Sequence, residues 1–276
     1  KTAILTTPLC SGTVCHLGKS SYEERITENT LVLNSSQDYF SIDRPYVENV
    51  AEEWDRFQPD ILFFDPIYLH WFARRAAEMG IALPSVKVLA SCYQFCSQLQ
   101  RRALGELLRA PLYDWYSGTE TAAVVGQECP AGRLHVRPEQ CIVEIANKEG
   151  VVGPGVLGNI LVTTIASRTM PLIRYQIGDV GELTDEPCSC MLNGSSCLTL
   201  HGRAKDMLFV QNRPVTTRQF DGMIADTPHL DFYSCTQTDA DTLVVDVIPS
   251  LGQESVFAKA ALADKLRSRL GISKVD

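Results

Sequence analysis

Between residues 30 and 115 the sequence alternates in period, and that alternation constrains the fold more than any other feature of the chain. "YVENVAEEWDRF" sets Val47, Val50, Trp54 and Phe57 on one helical face. "DILFF" is a short apolar strand, and "PIYLHWFARRAAEMG" is a helix with Pro66 near its start and Gly80 at its end. "SVKVLA" reads as a strand, "QFCSQLQRRALGELLRA" as a helix that Ser91 caps, and "PLYDWY" as a further strand. Strand–helix–strand–helix–strand predicts a parallel sheet covered by helices, so the fold class is α/β. Ligands of such sheets sit beyond the carboxyl ends of the strands, here at "FFDP", "LASCY" and "WYSGTE".

After Glu120 the texture changes. "CIVEIA", "GNILVTTIA" and "VGELTD" are short strands between glycine-rich turns such as "KEGVVGPGVLG". From about Met207 a compact α+β unit follows: strand "MLFVQ", helix "TRQFDGMIAD", paired strands "DFYSCTQTDADTLVVDVIP" and helix "VFAKAALADKLRSRLG". The expected organisation is a large domain over 1–203, an α/β sheet over 1–120 with a β-rich region over 121–203. A joint at 204–206 leads to a small, incomplete α+β domain over 207–276. The start, without Met and as if in mid-strand, and the end at "LGISKVD" suggest a fragment.

Composition narrows the function. The 276 residues are 45% hydrophobic and 21% charged, which fits a folded domain with a sizeable core. A formal net charge of -8 without a basic run argues against a nucleic-acid partner. No apolar run approaches the ~20 residues of a membrane span, and no signal peptide is legible. A cytoplasmic location is expected. Ten cysteines, unevenly spaced, read as reduced thiols, some of them metal-bound, rather than as a disulfide framework.

Three segments occur in order: "WYSGTE" (115–120), "MPLIRYQIGD" (170–179) and "HGRAKDML" (201–208). Each alone fits a turn or a structural ion pair. Together they resemble the adenylate-forming superfamily of acyl-CoA synthetases. The branch most resembled is that of phenylacetate–CoA ligase and capsule-biosynthesis-type proteins, which "TTPLCSG", "PDILFFDPIYL", "ECPAGRLHV", "GNILVTTIASRTMPLIRYQIGD" and "EPCSC" also fit. The resemblance spans nearly the whole chain.

It implies ATP-dependent activation of a carboxylic acid, aromatic by preference, with Mg²⁺ as cofactor. The acyl group would then pass to a thiol (coenzyme A or a carrier-protein arm), or alternatively to an amine. By position, Tyr116 would offer its ring to the purine, with Ser117 and Gly118 beside it. Thr119 would contact the adenylate phosphate, and Glu120 would hold Mg²⁺ through hard oxygen. Asp179 would accept hydrogen bonds from adjacent ribose hydroxyls. Arg203 would supply fixed guanidinium donors, and Lys205 would be the hinge between domains. Tyr93 would line the acid pocket. Arg174, in an apolar run, is expected beneath the site as a charge for nearby carboxylates, since an unpaired buried arginine costs several kcal/mol.

The chain departs from the family's Tyr-Gly-x-Thr-Glu, because its glycine is displaced by one in Tyr116-Ser117-Gly118-Thr119-Glu120. It shows no Ser/Thr/Gly-rich phosphate loop, and "SGTVCHLG" is a poor candidate. The resemblance places that loop before Lys1 and the catalytic lysine after Asp276. Alone, these residues are expected to adenylate little or nothing. The rival reading is a non-catalytic nucleotide-binding or zinc-stabilised interaction protein on the same fold.

A second constellation is metal-like. Cys188 and Cys190, two apart, would present both thiols to one face of a strand. Cys129 and His135 flank "PAG" at a spacing that suits a hairpin. The four make a Cys3His set for structural Zn²⁺, with Cys197 able to replace one ligand. His16 and His201 read as plain polar residues. Cys10, Cys92, Cys96, Cys141 and Cys235 read as small buried hydrophobes.

Overall fold

The computed structural model describes residues 1–9, 17–165, 167, 169–191 and 195–276. They divide into two compact units, 1–96 with 100–134, and 97–99 with 135–276. The expectations for Cys10, His16 and the body of "SGTVCHLG" lie outside the described residues.

The first unit contains β1 (Thr2–Leu5), β2 (Ile26–Thr27), β3 (Thr30–Val32), α1 (Arg44–Phe57), β4 (Ile61–Phe64), α2 (Pro66–Glu78), β5 (Val88–Ser91), α3 (Gln98–Leu108) from residue 100 onward, β6 (Leu112–Gly118) and β7 (Ala123–Glu128). The helix starts follow from local chemistry. Asp43 caps α1 through the N–H of Tyr46, and Asp65 caps α2 through those of Ile67 and Tyr68, each helix having proline in its first turn.

The strand order is β7-β6-β5-β4-β1-β3-β2. Strands β3, β1, β4, β5 and β6 run parallel. The crossovers β3–α1–β4, β4–α2–β5 and β5–α3–β6 all advance in one direction, so right-handed connection puts the three helices on one sheet face. The core confirms it. Leu5, Leu62, Phe64 and Leu89 of the sheet cluster with Val47, Val50, Trp54 and Phe57 of α1, Leu69 and Phe72 of α2, and Leu104 and Leu108 of α3. Alternate strand residues Ile4 and Phe63 therefore point to the other face, where both are only half-buried.

The second unit carries β8 (Leu134–Val136), β9 (Cys141–Asn147), β10 (Gly150–Val151), β11 (Gly158–Thr164), β12 (Tyr175–Thr184) and β13 (Cys197–Arg203), in the order β10-β9-β11-β12-β13-β8. The ladders β10–β9–β11–β12–β13 are antiparallel. A 3-10 turn, Ala204–Asp206, leads to β14 (Leu208–Val210), β15 (Arg213–Val215), α4 (Thr217–Ile224), β16 (Leu230–Asp239), β17 (Thr242–Pro249), α5 (Lys259–Leu270) and β18 (Lys274–Val275). A capping box between Thr216 and Gln219 starts α4. Val210, Phe220, Ile224, Leu230, Leu243, Leu262 and Leu266 form this region's own core, and Leu99 joins it. No helix among the described residues is long and apolar enough to cross a membrane.

Several local expectations are corrected. The apolar run Met170–Ile173 is largely exposed, Met170 by 57% and Ile173 by 79%, and the strand begins only at Tyr175. Arg174 is likewise exposed; it adopts φ +52°, and its Nε lies 3.1 Å from Glu144. It needs no buried partner, and its structural role is a surface ion pair. Ser91 ends β5 and does not cap α3; the N–H of Gln98 instead donates to Asp221 Oδ2 at 3.0 Å. Cys188 and Cys190 lie in the loop after β12, not on a strand. Cys92, Cys96 and Cys141 are buried as expected, but Cys235 is only half-buried.

Candidate nucleotide and metal sites

Asp179 and Arg203 come together by strand register. They are direct partners in the β12–β13 ladder, with Arg203 Nε 3.2 Å from Asp179 Oδ1. Arg203 Nη1 also donates to the Ile177 carbonyl at 2.9 Å, so the guanidinium is fixed along β12. Asp179 is buried, while the Arg203 side chain is half-exposed. Two glycines permit this geometry. Gly178 holds φ +89° immediately before Asp179, and Gly202 holds φ +107°, where a Cβ would stand 2.5 Å from Thr217 Oγ1. Lys205 follows in the 3-10 turn. His201 is bonded to Thr216 Oγ1 at 3.2 Å and Glu182 Oε1 at 3.4 Å, as a plain polar residue would be.

In the first unit, Tyr116, Ser117 and Gly118 end β6, and Thr119 and Glu120 form the turn beyond it. Tyr116 is half-buried; Ser117, Thr119 and Glu120 are exposed. The ladder to β7 shifts register at the Tyr116–Ser117 step, where Tyr116 pairs with Gly126 and Ser117 with Val124. This bulge falls where the glycine is displaced in the sequence, and bulges re-aim the side chains around them. Ser117 Oγ lies 3.3 Å from Cys92 Sγ. Burial pushes the Cys92 thiol up, which suits an inert side chain. Arg101 braces the same hairpin: its Nη2 reaches Asp114 Oδ2 at 2.5 Å and Glu128 Oε2 at 2.6 Å.

Tyr93 stands just beyond β5 at φ +71°, 42% exposed. Its ring meets Phe63 at 6.3 Å between centroids, and Phe63 meets Trp115 edge-on at 5.5 Å. Phe63 and Trp115 were not expected at a site, although the period-2 alternation of "ILFF" already sets Phe63 opposite the core-facing Leu62 and Phe64.

The metal-like residues converge. His135, Cys188 and Cys190 bring their ligand atoms within 4.8 Å of one another, with His135 Nε2 3.3 Å from Cys190 Sγ. Cys129, in the first unit, lies at the base of the turn in which its N–H binds the Arg133 carbonyl. Thiolates at ~2.3 Å from a zinc ion stand roughly 3.8 Å apart, so the donor set and its spacing fit tetrahedral zinc. On the far side of the imidazole Nδ1 lies 3.0 Å from Ser195 Oγ, while Cys197 Sγ is nearly equidistant from the two ring nitrogens, 3.6 Å from Nδ1 and 3.9 Å from Nε2. Ser195 escaped the sequence reading, because a serine sixty residues from its histidine carries no local signal. The eight described cysteines are all reduced.

No family model matches the chain. A curated relative, phenylacetate–coenzyme A ligase of Thermus thermophilus, is 24% identical over 181 residues, 63% of this chain and 41% of the relative. Among solved structures, 2-hydroxyisobutyryl-CoA ligase in the postadenylation state with R3-HIB-AMP matches the whole chain over 61% of its own, at TM-score 0.77 and 15% identity. An anthranilate CoA ligase with anthranoyl-AMP matches 90% of this chain and 50% of its own, at TM-score 0.62 and 17% identity. An amide bond synthetase from Marinactinospora thermotolerans matches 90% and 52%, at TM-score 0.63 and 19% identity. The chain has the fold of the adenylate-forming ligases. The large mixed α/β region and the smaller β/α region after it are those expected from the sequence. The chain spans 41% of the curated ligase and 61% of the first matched structure.

Proposed function

We propose that the protein carrying this chain is an ATP-dependent acid–thiol ligase that forms an acyl-adenylate and transfers the acyl group to coenzyme A or a carrier thiol. The observation that carries the reading is the buried Asp179 held by Arg203 across two strands. A carboxylate offers about four acceptor sites, so an ion pair does not exhaust it. Asp179 accepts from the ribose hydroxyls, and Arg203 both fixes the carboxylate and donates to ribose or phosphate oxygen. Tyr116 presents a ring to the purine, flanked by Ser117 and Gly118, and the Thr119 hydroxyl meets the adenylate phosphate. The exposed carboxylate of Glu120 fits Mg²⁺, a hard cation that retains water. Mg²⁺, when bound, neutralises phosphate charge.

Transfer to the thiol requires the region after Asp206 to turn about Lys205, with the large domain ending at 203. The separate core of that region supports this division. Cys129, His135, Cys188 and Cys190 hold a structural Zn²⁺. The acid is aromatic and of the phenylacetate type, as the name of the curated relative suggests. The reading places the protein in the cytoplasm, where ATP and coenzyme A are available. ATP–pyrophosphate exchange by the full-length protein over a panel of acids tests the first half-reaction. Thioester formation with coenzyme A tests the second. Exchange with no acid refutes the adenylation reading; exchange followed by amide rather than thioester products refutes the thiol acceptor.

A further inference from the structure

We infer that a cavity in the second unit, bordered by Arg137 and Glu139, binds a free α-amino acid with an apolar side chain. Arg137 takes the carboxylate, Glu139 takes the ammonium group, and the wall behind them takes the side chain. The inference does not rest on the ligase reading.

The cavity measures about 740 Å³, within the size range of small-molecule sites. It lies between the end of β8, the turn that follows, the start of β9, the end of β12 and the approach to β13, all within the second unit. Leu183 lines it, and Leu183 stands four residues beyond Asp179 on β12, roughly 13 Å along the strand. The cavity is thus at the far end of the β12–β13 ladder from the Asp179–Arg203 pair. None of the residues assigned to the nucleotide lines it.

The wall is mainly apolar, with Val136, Pro138, Ile142 and Leu183. Ile142 is 53% exposed, so the wall keeps apolar surface that a ligand can cover. The turn that carries the charges is preformed. Pro138 fixes its own φ. The Arg137 carbonyl accepts from the N–H groups of Gln140 at 2.9 Å and Cys141 at 3.1 Å, and the Gln140 carbonyl accepts from that of Ile165 at 2.9 Å. Arg137 and Glu139 therefore flank a proline on a backbone that needs little ordering when a ligand arrives.

Charge selects the ligand. Arg137 Nε and Glu139 Oε1 lie 2.5 Å apart, with side chains 34% and 52% exposed. An ion pair so exposed is weak, so a ligand opens it at small cost. The pair carries one charge of each sign. A bare carboxylate would meet the like charge of Glu139, and a bare amine that of Arg137. A molecule with both groups on one carbon replaces one ion pair by two, and the planar guanidinium suits its carboxylate. The serines on the lining are already bonded, Ser195 to His135 Nδ1 at 3.0 Å and Ser196 to Asp185 Oδ1 at 2.6 Å. Recognition is left to the charged pair and the apolar wall.

The test uses the full-length protein and three probes with one apolar body: L-leucine, isocaproate, which lacks the amine, and isoamylamine, which lacks the carboxylate. In titration calorimetry, leucine should bind more tightly than either fragment by about 5-fold or more. Glu139→Gln should weaken leucine to the level of isocaproate, and Arg137→Gln should weaken it to the level of isoamylamine. Both side chains are part-exposed, so the melting temperature should hold. Ile142→Ser should weaken all three probes alike. A fragment that also binds elsewhere on the protein does so equally in wild type and in the charge variants, so the comparison between them isolates this cavity. Failure of ATP–pyrophosphate exchange leaves these outcomes untouched. No leucine binding at about 10 mM, leucine no tighter than its fragments, or leucine affinity unchanged in both charge variants overturns the site.

Discussion

Arg203 stands directly opposite Asp179 across the β12–β13 ladder, with its Nε 3.2 Å from the carboxylate. The pair is asymmetric, because the aspartate is buried and the arginine half-exposed. Its worth to folding is therefore small, and its placement matters more for what the carboxylate can accept. Asp179→Ala in the full-length protein should weaken ATP binding by about 1.5–3 kcal/mol, the range for a hydrogen bond to a charged group. The melting temperature should change little. Titration calorimetry showing wild-type ATP affinity would remove Asp179 from the ribose site.

A different arginine holds the first unit together. Arg25 is 2% exposed, its Nη1 lies 2.8 Å from Glu53 Oε2 and 2.7 Å from the Val32 carbonyl, and Glu53 also accepts from the Asn34 N–H. Arg25→Met leaves the Glu53 carboxylate buried without its counter-charge. Such breakage costs about 3–5 kcal/mol, whereas replacing both partners costs much less. Urea denaturation should therefore show Arg25→Met well below wild type, and Arg25→Met with Glu53→Leu recovering part of the loss. A single-variant cost under about 1 kcal/mol would show that water reaches the pair.

The elements legible in the sequence are those whose period and caps are both local. Val47, Val50, Trp54 and Phe57 announce α1, and Asp65-Pro66 announces α2 before any packing is considered. What stayed hidden depends on partners distant in sequence. Met170–Ile173 has strand composition, yet these residues are largely exposed and Arg174 turns at positive φ, so apolarity alone misleads there. Ser91 is a plausible cap by type, but Asp221, 123 residues from Gln98, supplies the acceptor. The pairing of Asp179 with Arg203 follows from ladder register, which no short window reveals. The proposed metal ligands were chosen by spacing, yet Cys188 and Cys190 lie in a loop rather than on a strand face.

Within the second unit, Asp221 ties residues 97–99 to the C-terminal core. Its Oδ2 accepts from the Gln98 N–H at 3.0 Å and its Oδ1 from the Tyr233 hydroxyl at 3.0 Å. Burial raises the carboxyl's pKa, partly offset by these two bonds and by the nearby Arg218 charge. A raised folded-state value means that stability from this group is fully present below the unfolded pKa of about 3.9. It is lost as pH rises through the folded value. Asp221→Asn abolishes that titration while forfeiting one acceptor. The stability difference between wild type and Asp221→Asn should shrink from pH 4 to pH 7, and Asp221→Ala should cost about 1–3 kcal/mol for the unsatisfied donors. A difference independent of pH in urea titrations would contradict the argument.

Zinc gives the last prediction. Within the second unit His135, Cys188 and Cys190 bring one imidazole and two thiols within 4.8 Å of one another, and Cys129 of the first unit is the fourth ligand of the proposed set. Clustered buried thiols gain most when deprotonated and bound to a soft-tolerant cation, and four protein ligands leave no open position for catalysis. The imidazole is already oriented: with Nε2 toward Cys190, Nδ1 faces the Ser195 hydroxyl at 3.0 Å, and a second bond of this kind fixes the tautomer and raises ligand basicity. Cys197 Sγ is nearly equidistant from the two ring nitrogens, 3.6 Å from Nδ1 and 3.9 Å from Nε2, and stands outside the proposed set of four. Protein purified without a metal-binding tag should carry close to one equivalent of zinc by mass spectrometry. Chelation should lower the melting temperature, because the metal's binding energy is folding energy. Cys188→Ser with Cys190→Ser should abolish the zinc, Cys197→Ser should leave it, and Ser195→Ala should weaken affinity by about 10–100-fold. Less than about half an equivalent in wild type, or zinc retained after the double substitution, would reduce the constellation to four packed side chains.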